Sequence, residues 1–245
     1  CVPELQDKKL KKNIEQVFSG KELRPAQKYM KDHKNDNVVV IAPTGSGKTE
    51  AALLWLDGEK GFYTLPLKVS SNAIYDRIKK KYFYEDVALL HSDSMSKYMS
   101  EETEDIQERY IRSRMLAQPL TVCTVDQLFK FVYRALGTEV FAATLKYSKI
   151  VLDEIQSYSP QVIATIIYGL KMIQELGGRF AIITATFPPV LGHFMDLYGL
   201  RSGKEYQFID FSKSSLNTEE SLRHWLEIRR SEMDIDEILE QGKKK

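Results

Sequence analysis

Short apolar runs alternate with amphipathic stretches along most of the chain. Residues 38–41, 61–65, 87–90, 120–124, 149–152, 180–184 and 206–211 read as strands, and many of them are continuously apolar. A strand with no polar face is one buried on both sides. Between these runs the apolar period lengthens to that of a helix. Leu5, Leu10, Ile14, Val17 and Phe18 predict a helix over 1–19, broken by Ser19-Gly20. A second helix is predicted over 21–31, with Pro25 near its first turn. Further helices are expected over 50–56, 69–81, 101–116, 125–136, 141–145 and 188–198, and from Ser159 or Pro160 to Leu176. Gly177-Gly178 stops the last of these. The polar stretches 33–37 and 93–100 read as loops.

Strand and helix in alternation predict an α/β fold: a mostly parallel central sheet with helices on both faces, a three-layer sandwich. The last part of the chain breaks the pattern. Residues 212–218 read as a polar linker, 224–230 as a possible strand and 235–239 as a short helix. The expectation is a main domain over 1–211 and a connector over 212–245 leading to a domain beyond it.

Composition changes this picture little. The 245 residues suffice for one large α/β domain, and 43% of them are hydrophobic. A net charge of +1 leaves no global footprint for nucleic acid or membrane, so any basic surface is local. Cys1 and Cys123 form no C-x-x-C pair, and Cys123 lies in an apolar run. A buried free thiol suits a reducing cytoplasm. No run is long enough to cross a membrane, and no membrane partner is expected. The chain runs from Cys1 to Lys243-Lys244-Lys245 and reads as a piece of something longer.

Three clusters carry candidate chemistry. The first is Val38 to Ala52, VVVIAPTGSGKTEAA. A strand, a small loop, Lys-Thr and a helix follow in the order of a phosphate-binding loop. Backbone N–H groups of Thr44, Gly45, Ser46 and Gly47 would cradle phosphates, with the helix dipole and Lys48 adding positive charge. Thr49 is placed to ligate Mg2+. The pattern departs from G-x-x-x-x-G-K-S/T at Ala42, which a tight turn tolerates at negative φ.

The second is Lys149 to Gln156, KIVLDEIQ. Asp153 and Glu154 fall at the carboxyl end of a strand, the edge where open α/β sheets bind ligands. Asp153 would hold the metal, and Glu154 would orient or deprotonate the attacking water. Taken alone, such a pair is as well explained as helix-start charge. The third is Thr184-Ala185-Thr186, whose hydroxyls could bond the carboxylate and sense the γ-phosphate; taken alone, it is a strand-to-helix turn. Gln27 could pair with an adenine edge or be a plain helix residue. Pro66, Leu67 and Lys68, and Thr124 with Asp126, offer loop donors for the backbone of a single strand.

APTGSGKT, LPLKVSSNAIYDRI, TVDQLF, LDEIQ and TATFP, in this order, resemble the first RecA-like motor domain of superfamily-two helicases. Within that class they are most similar to the CRISPR-associated helicase of type I interference systems. The resemblance covers roughly residues 20–200. It implies a RecA-like P-loop fold, ATP and Mg2+ as cofactors, and single-stranded DNA as a partner. By position, Lys48 and Thr49 would bind ATP-magnesium, with Asp153 the metal ligand and Glu154 the catalytic carboxylate. Gln27 would read adenine, and Thr184 and Thr186 would couple ATP state to DNA grip. Pro66 to Lys68 and Thr124 to Asp126 would touch the strand. Gln156 stands where related boxes carry Asp or His.

The resemblance also implies partners: a second RecA-like domain, an HD nuclease in the same or a separate chain, and a CRISPR surveillance complex. No nuclease pattern or arginine-finger pattern is visible in these residues. A lone first domain is therefore expected to bind ATP weakly, hydrolyse it slowly and unwind nothing. Other readings are an RNA or repair helicase, a P-loop kinase or transporter ATPase, and a non-catalytic motor scaffold.

Overall fold

Seven strands pair side by side; six are runs buried on both faces, and the last, at the sheet's edge, is only partly covered. They are β1 (Val38–Ile41), β2 (Gly61–Leu65), β3 (Val87–Leu90), β4 (Leu120–Thr124), β5 (Lys149–Asp153), β6 (Arg179–Thr184) and β7 (Gln207–Asp210). The computed structural model describes residues 8–101, 105–134 and 136–212. All seven strands are parallel, in the order β3-β4-β2-β5-β6-β1-β7. The linker, strand and helix expected beyond Ser212 lie outside the described residues, as do Cys1 and Leu5.

Alternate residues along each strand feed two separate cores. Val38, Val40, Tyr63, Leu65, Val151 and Ile183 face one layer of helices. That layer includes α1 (Lys8–Phe18), α2 (Pro25–Asp32), α3 (Lys48–Leu56) and α4 (Lys68–Tyr82). Val39, Phe62, Ile150, Leu152, Phe180 and Ile182 face the other. The helices there include α9 (Pro160–Leu176) and α10 (Pro189–Leu197). This is the three-layer sandwich expected.

Two local expectations are overturned. Residues 93–100 are not a loop: Ser94–Met99 forms α5. Tyr98 is buried there, and its hydroxyl accepts from the Leu89 N–H at 2.7 Å and donates to the Leu89 carbonyl at 3.0 Å. That anchor to β3 decides the conformation of an otherwise polar segment. Residues 125–136 are not one helix either. After α6 (Ile106–Arg114), α7 covers only Val125–Leu128, and Phe129–Tyr133 tightens into a 3-10 turn. Phe129 and Phe131 are both buried. An α-helix would set residues two apart about 160° from each other, whereas a 3-10 turn brings them to about 120°. Arg134, left-handed at φ 50°, ends the turn. The helix expected over 141–145 begins two residues earlier, as α8 (Glu139–Leu145).

Strand order sorts the distant motifs into two neighbouring groups. The phosphate loop, Asp153-Glu154 and Thr184 follow β1, β5 and β6, which are adjacent. Pro66 to Lys68 and Thr124 to Asp126 follow β2 and β4, which pair with each other at Leu65↔Thr124.

Candidate nucleotide site

The phosphate loop turns tightly between β1 and α3. Ala42 is buried and is not among the positive-φ residues, and its N–H donates to the Thr184 carbonyl at 2.9 Å. Gly45 and Gly47 take left-handed conformations, at φ 79° and 87°. Gly47 caps α3, so Lys48 and Thr49 occupy the first turn, where helix N–H groups lack internal partners. Both side chains are buried.

Asp153 closes β5 at the same sheet edge. One carboxylate oxygen, Oδ2, accepts from the Tyr63 hydroxyl at 2.7 Å. The other, Oδ1, is buried with no hydrogen-bond partner. Burial pushes the Asp153 carboxyl above its ordinary pKa, against the opposing pull of Tyr63 and Lys48. An orphaned buried carboxylate oxygen is the donor a hard cation takes. Together with the Thr49 hydroxyl, it fits Mg2+ held by few protein ligands and completed by phosphates and water.

Glu154 follows in a left-handed conformation, φ 57°, rare outside glycine. Its Oε1 contacts the Lys48 ammonium and its Oε2 accepts from the Gln156 amide. The Gln156 amide oxygen in turn accepts from Thr184 Oγ1, which also reaches the Thr186 carbonyl at 2.6 Å. A continuous polar chain therefore links Lys48, Glu154, Gln156 and Thr184. Thr184 was expected to bond the carboxylate itself; the link runs instead through Gln156. Thr186 contributes its backbone.

Gln27 lies in the cleft, but its Oε1 already accepts from the Arg24 N–H at 3.1 Å, closing the first turn of α2. Its Nε2 sits against Gly47, where any Cβ would collide with it. Arg24 reaches the loop itself, donating to the Gly45 carbonyl at 2.6 Å. On the other side, Glu50 accepts from Arg77, from Lys81 at 2.7 Å and from Tyr82 at 3.3 Å. Burial works against the Glu50 carboxylate, yet Lys81 and Arg77 hold its pKa below the usual range.

Many of these groups line one cavity of about 550 Å³, with Tyr63, Gln156 and Thr184 behind its wall. It runs from Phe18, Arg24 and Gln27 past Gly45, Gly47, Lys48 and Thr49 to Asp153 and Glu154. Pro66, Leu67, Lys68 and Asp126 lie outside it, the last three of them exposed; Thr124 is buried. Lys68 pairs with Asp93 at 2.7 Å across the surface. Sequence reasoning missed Tyr63, Arg24 and Glu50 as members of the site. The one available signal was a tyrosine in a strand with no polar face, whose hydroxyl had to find a partner.

A family model described as DEAD/DEAH box helicase matches residues 24–193. A CRISPR-associated nuclease/helicase Cas3 from Methanothermobacter thermautotrophicus is 36% identical over 168 residues, 65% of this chain and 20% of that protein. The CRISPR-associated endonuclease/helicase Cas3 of Escherichia coli is 24% identical over 192 residues, 67% of this chain and 22% of that protein. The chain thus spans about a fifth of the length of these two relatives. Among solved structures, T. fusca Cas3 with AMPPNP superposes with a TM-score of 0.64 at 20% identity, over 80% of this chain and 25% of that one. The DNA-bound helicase MrfA gives 0.56 at 18% identity, over 85% and 28%. That likeness concerns the fold, and the sequence match extends from the turn before α2 into α10. The chain belongs to the DEAD/DEAH box helicase family.

Proposed function

We propose that this chain is the ATP-binding motor domain of an ATP-dependent DNA helicase of CRISPR interference, acting in the cytoplasm in antiviral defence. The observation that carries the nucleotide reading is the convergence of Lys48, Thr49, Asp153 and Glu154 on one cavity, with Asp153 Oδ1 left without a partner. The CRISPR assignment rests on the similarity to Cas3 relatives. By that similarity, a nuclease, a second motor domain and a surveillance complex complete the assembly, and residues 212–245 connect toward the second motor domain.

Each residue has a distinct task. Thr44 to Gly47 present backbone donors to the phosphates, and Lys48 adds charge. Gln27 and Arg24 brace the loop at the base end. Bound Mg2+, held by Thr49 and Asp153, would neutralise charge on the β- and γ-phosphates. In the arrangement described, both Glu154 oxygens are engaged, one by Lys48 and one by Gln156. A γ-phosphate competes for Lys48 and draws it away, which frees Oε1 to orient the attacking water. Gln156 carries that change to Thr184. Pro66 to Lys68, Thr124 and Asp126 form the single-stranded DNA face, where a phosphate would displace Asp93 from Lys68.

Alone, the chain binds ATP-Mg2+ weakly, turns it over slowly and does not unwind DNA, because a second domain must supply cationic charge to the transition state. The test is DNA-stimulated ATPase activity of an assembly holding both motor domains. Lys48→Ala and Glu154→Gln each lower turnover by about 10²–10⁴-fold. Unchanged turnover in both variants overturns the site. Stronger stimulation by RNA than by DNA overturns the DNA assignment.

A further inference from the structure

Tyr63 lies in the middle of β2, is fully buried, and is not part of the loop, the Asp-Glu pair or the threonine segment. Its hydroxyl donates to Asp153 Oδ2 at 2.7 Å. An ionised carboxylate only accepts, so the phenol proton goes to Asp153.

That bond decides which carboxylate oxygen is left. With Oδ2 occupied, Asp153 offers Oδ1, the buried oxygen that has no partner. We infer that Tyr63 is a positioning residue for the divalent cation, orienting its Asp153 ligand through one hydroxyl. The inference rests on the nucleotide reading above and names a residue of that same site. Outer-shell partners of this kind matter because they set the orientation and basicity of the ligands themselves.

The test is binding of a fluorescent, non-hydrolysable ATP analogue to the 245-residue chain, with Mg2+ and with EDTA. The wild-type chain should bind more tightly with Mg2+. Tyr63→Phe, which removes one oxygen, should bind as wild type in EDTA and lose about 10–100-fold of apparent Mg2+ affinity. Mn2+ binding in the presence of the analogue, followed by electron paramagnetic resonance, should weaken in parallel. A merely structural tyrosine would shift the thermal midpoint and weaken both arms equally, and that result overturns the inference.

Equal Mg2+ affinity in the variant and the wild-type chain also overturns it, while the site reading stands. If Lys48→Ala binds as the wild-type chain does in both arms, the site reading itself falls. A site-specific 4-aminophenylalanine at position 63 keeps a donor there and should restore most of the Mg2+ affinity. It also carries the test if the phenylalanine variant does not fold: wild-type folding with Mg2+ affinity lost despite the donor overturns the inference.

Discussion

At the strand starts Lys60 and Lys149 are buried; at the strand ends Lys48 and Asp153 are. The lysines at the starts are tied to groups that stay where they are. Lys149 pairs with Glu59 at 2.7 Å and donates to the Trp55 carbonyl at 2.8 Å. Lys60 donates to the Leu116 and Gln118 carbonyls, holding the chain end of α6 onto the sheet. At the strand ends a polar chain runs from Lys48 to Thr184, and beside it Asp153 Oδ1 and Ser46 Oγ are buried without a partner. Buried charge is costly wherever it lies. At the starts the lysines' bonds hold the fold together; at the ends an unfilled carboxylate valence supports the ligand reading proposed for that edge.

Breaking a fully partnered charge should have the largest effect on stability. Lys149→Ala leaves the Trp55 carbonyl without its donor and Glu59 with only the longer Arg179 contact, and should cost about 3 kcal/mol, read from urea midpoints. Asp153→Asn, which keeps an acceptor for Tyr63, should change stability by less than about 1 kcal/mol. Equal losses in the two variants would erase the contrast between the edges.

Lys60 gives a smaller effect with a pH signature. Burial lowers its pKa from 10.5 to about 8. The folded value lies below the unfolded one, so the charged lysine weakens the fold below pH 8. That penalty lifts as pH rises from about 8 toward 10.5. At about 1.4 kcal/mol per unit the effect is bounded near 3 kcal/mol, and the two carbonyl bonds reduce it. Compared with Lys60→Met, the wild-type chain should gain stability between pH 7 and pH 10. A difference independent of pH would show the ammonium to be fully satisfied by Leu116 and Gln118.

The smallest effect lies at Phe83, the residue after α4. It is exposed and left-handed, at φ 50°. Phe83→Gly removes the steric penalty at some entropic cost and should stabilise by up to about 1 kcal/mol in thermal unfolding. A loss of stability would show that the exposed ring packs against a neighbour.

Much of the sheet was legible because its strands are continuous apolar runs bounded by turns, and periodicity reports burial directly. The phosphate loop and Asp153-Glu154 were legible because each carries its chemistry in adjacent residues. Tyr63, Glu50 and Arg24 were not, since each acts on residues remote in sequence: Tyr63 touches Asp153, and Arg77 reaches Glu50 from another helix. No local pattern encodes such a pairing before strand order is known. Helix α5 failed for the same reason, because its anchor is the backbone of Leu89. Gln156 was legible as a departure from related boxes, but its partners on both sides appear only when β5 and β6 lie together.

The left-handed turn at Glu154 sets a conflict for any laboratory evolution of this chain. Glycine at that position relaxes the backbone, and asparagine tolerates it better than glutamate does. A library selected only for heat resistance or expression would therefore drift toward those residues and discard the carboxylate. Selection on turnover would pull it back. With the role proposed for Glu154, position 154 is where thermal robustness and catalysis draw on the same backbone torsion, and a screen that scores one without the other would return a sturdier chain with an idle site.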